Sequence, residues 1–68
     1  MAHTYGITEV VGSSSTSIDE AITTAVARAS ATVRGLDWFE VTEIRGHIAA
    51  GADAHHQVGL KLGFRLEE

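Results

Sequence analysis

The sequence predicts an α+β fold in the order β-α-β-β, a three-stranded antiparallel sheet wrapped on one helix. Three observations carry that expectation. Ile18, Ala21, Ile22, Ala25, Val26, Ala29 and Val33 recur at helical spacing; Val58, Leu60, Leu62, Phe64 and Leu66 alternate strictly with Gln57, Gly59, Lys61, Gly63 and Arg65; and only a short turn, Ala49 to Asp53, separates this run from the one before it. At 68 residues the chain has the length of one domain, residues 1–68.

The first strand is expected over His3 to Val11, where Tyr5, Ile7, Val10 and Val11 stand among threonines. Ser13 to Ser17 reads as the loop entering the helix. Ser17 followed by Glu20 has capping-box spacing and Gly35 is a natural stop, so the helix is expected over residues 18–34. Its stripe is rich in alanine, which lets the backbone approach a sheet closely and leaves the larger core side chains to the strands. Residues 37–48 and 54–66 read as two long strands joined as a hairpin. In the first of these, Phe39 and Val41 hold one phase and Ile44 and Ile48 the other, which a bulge near Thr42 and Glu43 reconciles. With those four directed at the helix, Trp38, Glu40, Arg45 and His47 fall on the outer face beside Gln57 and Arg65.

Composition narrows the function. Hydrophobic residues make up 44% of the chain, enough for a globular core and against disorder. A single core of this size leaves only about 3–5 kcal/mol of net stability without added support, and there are no cysteines to supply disulfides. Subunit association is the remaining route. A formal net charge of −4 with five Lys and Arg argues against a nucleic-acid backbone or an anionic membrane as partner. No run approaches the roughly 18 apolar residues of a membrane span, and no basic start followed by an apolar stretch marks a signal peptide. A soluble cytoplasmic protein is expected.

Trp38 is the only indole, and it stands on the face the core does not need. Two readings are open: a platform for a planar ligand, or an anchor filling a subunit interface. At a symmetry axis both hold together. Gln57 donates and accepts at once, matching the alternating edge of a pyrimidine-like ring, although a solvated glutamine on a polar strand face is the plainer reading. Arg45 and Arg65 can bind phosphate or carboxylate, but isolated surface arginines more often pair with acids such as Glu40, Glu43, Glu67 or Glu68. His55 and His56 are adjacent on a strand and point to opposite faces. His47 and His55 can meet across the hairpin but lack a third ligand, so no metal site is expected. The segment Gly12 to Ser17 lacks the Gly-Lys of a P-loop and reads as helix capping. No nucleophile triad or poised carboxylate pair stands out, and no enzymatic activity is expected.

The residues resemble the dodecins. The likeness runs through Val11-Gly12-Ser13-Ser14, Ser17-Ile18-Asp19-Glu20-Ala21-Ile22 and Ala27-Arg28-Ala29-Ser30. It continues through Trp38-Phe39-Glu40-Val41, Ile44-Arg45-Gly46-His47-Ile48, Ala54-His55-His56-Gln57-Val58 and Gly63-Phe64-Arg65-Leu66-Glu67. The resemblance implies a hollow homododecamer that binds flavins, FMN or riboflavin, in pairs at two-fold axes. Each ring would stack between a neighbouring flavin and Trp38, with Gln57 on the ring edge and Arg45 and Arg65 near the flavin or its phosphate. It also implies coenzyme A on the assembly surface in some members, in a region that would include Arg28 and Thr32. The function implied is flavin storage and photoprotection, the stacked indole quenching the excited ring by electron transfer.

Two positions depart from the family's usual pattern. His56 stands where an aromatic residue is common; it shares the core-side phase, where a partly buried histidine would make assembly pH-sensitive. Gly59 replaces a larger residue on the face of Gln57, so a roomier pocket is expected. Against the flavin-storage reading stand an oligomeric structural or interaction module that binds no flavin and, with least support, a flavin-dependent oxidoreductase.

Overall fold

The computed structural model describes residues 2–67, the side chain of residue 53 aside. Strand β1 (Tyr5–Ser14) leads to helix α1 (Ile18–Ser30), then to strands β2 (Leu36–Ala49) and β3 (Ala52–Arg65). All pairings are antiparallel and the spatial order is β1-β3-β2, so the last strand is central. That position fits the sequence, because β3 carries the cleanest alternation and supplies three of the four apolar side chains fully buried among the described residues, Val58, Leu60 and Leu62. Ala21 of α1 is the fourth.

The helix starts where expected. Ser17 is extended and accepts the Glu20 N–H at 3.0 Å. The Glu20 carboxylate does not return to Ser17 as a full capping box would; it accepts from the Ser14 hydroxyl at 2.5 Å. Ser14 Oγ in turn accepts the N–H groups of Thr16 at 2.9 Å and Ser17 at 3.2 Å. The serine segment is thereby consumed in capping.

The helix stops four residues short of the expected end. Ala31 caps it, and the amides of Thr32 and Val33 both turn back to the Ala29 carbonyl, at 3.1 and 2.8 Å. Two consecutive β-branched residues are poor helix formers, and the chain uses residues 31–34 to descend toward the sheet. Gly35, with φ of 75°, makes the left-handed step into β2. Strand β1 also differs, beginning at Tyr5 and running on to Ser14, where Ser13 and Ser14 pair with Gln57 and His56.

The expected bulge is present, as a register shift between Val41 and Glu43. The hairpin turn is tighter than its five-residue span implied. Only Ala50 and Gly51 lie outside the strands, both with positive φ (52° and 77°), as in the two-residue turns whose twist matches paired strands.

The alanine stripe of α1 lies on β1 and β3, closest at Gly12, where an added Cβ would strike the Ala21 carbonyl and come within 2.9 Å of the Ala25 Cβ. The helix does not extend over β2. Phe39, Val41, Ile44 and Ile48 share its side of the sheet but were expected beneath it, and instead stand exposed, Ile48 at 78%. The β2–β3 hairpin projects past the helix, giving extents of 53 × 20 × 13 Å. The radius of gyration is 14.1 Å, against about 11 Å for a compact domain of this length. Among the described residues, no helix is long and apolar enough to cross a membrane.

Candidate functional site

The outer face of the sheet, opposite the helix, is fixed by the alternation of β3 and by its register with both neighbours. At one end the rows are Tyr5–Arg65 and Ile7–Gly63–Trp38; a charged row, Glu9–Lys61–Glu40, follows; at the other end lie Ser13–Gln57–Arg45 and then His55–His47.

The Trp38 indole lies across the backbone of Gly63. A Cβ built at Gly63 would coincide with the indole ring, its Cδ2 only 2.6 Å away. Glycine at this position is what lets the indole settle on the strand, and 41% of Trp38 remains exposed. Tyr5, from the far edge strand, closes one side: the two ring centres are 6.3 Å apart at 50°. The phenol donates to the carboxylate of Asp37 at 3.0 Å. That hydrogen bond, helped by desolvation and the negative charge of Asp37 and opposed by Arg65, raises the Tyr5 pKa above its ordinary value. A hollow of about 540 Å³ opens at the same end, lined by Gly35, Leu36, Asp37, Arg65, Leu66 and Glu67. Trp38 lies outside this hollow, on the open sheet face.

Gln57 and Arg45 are paired at the opposite end. Gln57 is half-buried, and Arg45 donates to Glu43 Oε1 at 2.5 Å, the ion pair anticipated for a surface arginine. Gly63 lies six positions along β3 from Gln57, which is about 20 Å at roughly 3.3 Å per residue. The structure thus brings Trp38 together with Arg65, and Gln57 together with Arg45, but it does not bring the two pairs together within one chain. The room expected beside Gly59 is taken by the bulge: Thr42 Oγ1 would lie 3.1 Å and Glu43 Cβ 3.4 Å from an added Cβ. His56 is half-buried on the helix side, between Ser14 and Gly46.

Arg28, in the last turn of α1, and Thr32, just beyond it, are exposed on the helix side, with the sheet between them and Trp38. The Thr32 hydroxyl donates to the Ala29 carbonyl at 3.4 Å. Among the described residues, no group of three or more His, Cys, Asp or Glu is placed to hold a metal ion.

Tyr5, Asp37 and Gly63 are the members of this surface that sequence reasoning did not single out. Gly63 was legible in principle, since the alternation puts it on the face of Gln57, but only the register sets it opposite Trp38.

Comparison with known proteins agrees with this architecture. The family model for dodecin matches residues 4–67. The chain belongs to the dodecin family. A dodecin from Thermus thermophilus is 50% identical over 68 residues, covering 100% of this chain and 99% of the relative. Among solved structures, dodecin from Streptomyces coelicolor is 65% identical with a TM-score of 0.91, covering 97% of this chain and 94% of that one. Dodecin from Streptomyces davaonensis is 50% identical with a TM-score of 0.93 and full coverage of both chains. Dodecins are small flavin-binding proteins that self-assemble, a non-enzymatic family, and the order β-α-β-β with a three-stranded antiparallel sheet is theirs.

Proposed function

We propose that this chain stores and photoprotects flavin, FMN or riboflavin, in a hollow homododecamer, holding flavins in pairs at two-fold axes with each ring stacked on Trp38. The observation that carries the reading is the indole laid flat on Gly63 and open to one side, a rigid aromatic platform with no core role. Gln57 takes the ring edge, while Arg45 and Arg65 act on the flavin or its phosphate. Because Trp38 and Gln57 sit at opposite ends of one outer face, a pocket using both joins two chains running in opposite directions, as a two-fold axis does.

Self-assembly follows from the same surfaces. Among the described residues only four apolar side chains are fully buried, while Ile7, Val11, Phe39, Ile44 and Ile48 are each half exposed or more. One chain cannot stabilise itself on so small a core. Coenzyme A is proposed at Arg28 and Thr32, on a surface separate from the flavin site. Stacking leaves no open approach to the flavin ring for a hydride donor, so the bound flavin is not turned over, while the indole quenches its excited state by electron transfer.

The test is titration of the purified protein with riboflavin and with FMN, following flavin fluorescence, with the mass of the assembly measured by light scattering. Strong loss of emission is expected on a dodecamer, and Trp38→Ala should weaken binding by at least about 2 kcal/mol while leaving the assembly intact. A variant that binds as tightly as the parent, or a parent that binds no flavin, overturns the reading; a variant that dissociates into subunits makes Trp38 an interface residue instead.

A further inference from the structure

We propose that His47 and His55 form a two-histidine site for a divalent transition-metal ion of the zinc, nickel and copper class, independent of the flavin reading. The two residues are direct partners across the β2–β3 hairpin, on the outer face of the sheet, both exposed. Their rings are 6.3 Å apart, centre to centre, and meet edge to face at 83°. The two-residue turn at Ala50 and Gly51 alone would set His47 opposite residue 54; a register shift between His47 and Ile48 brings His55 opposite it instead.

Direct cross-strand partners place their Cβ atoms about 4.5–5.5 Å apart, so two imidazoles can converge on one point above the sheet. Metal–nitrogen bonds of about 2.0–2.1 Å require the rings to close by roughly 1 Å, within the reach of side-chain rotation at exposed positions. Imidazole selects zinc, nickel and copper over calcium and magnesium, which prefer oxygen donors. The ion is thus held by two protein ligands, with water completing its coordination. His56 lies on the opposite face and takes no part.

Charge at the neighbouring row does not oppose a cation. Arg45 stands one row away, and its guanidinium is already paired with Glu43. The pair is formally neutral, so an incoming dication meets no net positive row.

The probe is Zn²⁺ or Ni²⁺ alone, titrated by calorimetry into the intact assembly after chelator treatment, with His47→Ala, His55→Ala and His56→Ala measured in parallel. Circular dichroism and light scattering establish that each variant keeps its fold and mass. Saturable binding of one ion per chain is expected, unaffected by His56→Ala. Loss of even a residue that only hydrogen-bonds a ligand costs metal sites about 10–100-fold in affinity, so removing either of two direct ligands should weaken binding at least about tenfold. The proposal is overturned if the parent shows no saturable binding, if either His47→Ala or His55→Ala binds as the parent does, or if His56→Ala causes the same loss.

Discussion

Trp38 rests on Gly63, an aromatic ring from the edge strand laid over the one residue type that leaves the central strand bare. On the opposite face the same device recurs one residue on, where the Phe64 ring covers Gly6. Large rings filling the space above strand glycines hold register as well as shape. The consequence for binding is that the platform's angle depends on a residue that never touches a ligand's ring.

Gly63→Ala should therefore lift the indole off the strand. Overpacking of this kind costs about 1–3 kcal/mol, and here it falls on the platform before it falls on the core. Weaker flavin binding and an altered near-ultraviolet signal from Trp38 are expected, with far-ultraviolet spectra preserved. Parent-like affinity in Gly63→Ala would show that the ring position is not set by this contact.

Tyr5 is the only tyrosine, so its ionisation can be read directly from phenolate absorbance. Its folded pKa is raised, first by the hydrogen bond to Asp37. The sign follows from linkage: the stabilisation is complete below the ordinary value of about 10 and is lost as pH rises through the higher folded value. The midpoint in native protein should lie above that of the denatured chain. Asp37→Asn should move it back down; no movement would assign the shift to something other than Asp37.

Ser14 is 7% exposed and its hydroxyl serves three partners, Glu20 and the amides of Thr16 and Ser17. Ser14→Ala strands two amides and a carboxylate at the entry to the helix. The expected cost is about 1–3 kcal/mol in chemical denaturation of the assembly. A loss below about 0.5 kcal/mol, the low end for a single hydrogen bond, would mean that water replaces the hydroxyl.

Ala50 adopts a φ of 52° at the hairpin turn, a conformation that is unfavourable for a residue with a Cβ. Ala50→Gly removes a steric cost of about 1–2 kcal/mol while adding unfolded-state freedom worth roughly 0.5–1 kcal/mol. A net gain between about zero and 1.5 kcal/mol is expected. Ala50→Val, with a branched side chain in the same turn, should instead destabilise, and thermal melts of the three proteins in parallel give the order.

What the sequence made legible was whatever depends on local pattern. The alternation of β3, the bulge at Val41 to Glu43, the Ser17 cap and the outward face of Trp38 all follow from spacing within a dozen residues. The misplaced boundaries have long-range causes. Ser13 and Ser14 have little intrinsic preference for a strand, but Gln57 and His56 offer them a partner edge, and α1 needs Gly12 beneath it. Helical spacing through Val33 suggested a longer helix because the stripe continues in register after the backbone has left it. The exposure of Ile44 and Ile48 reflects how far a 13-residue helix reaches along a longer hairpin. The split between the Trp38 and Gln57 ends was equally hidden, since alternation reports which face a residue occupies and not how far along that face it lies.

The order β1-β3-β2 has a bearing on how the chain is made. The first strand to be synthesised hydrogen-bonds only to the last, so β1 stays unpaired while α1 and β2 emerge. The hairpin of β2 and β3 closes over a two-residue turn, a local event of microseconds. Joining Tyr5 to Arg65 instead spans nearly the whole chain. The sheet cannot be completed on the ribosome while β3 is still in the exit tunnel. The N-terminal strand must wait until β3 is available to pair with it.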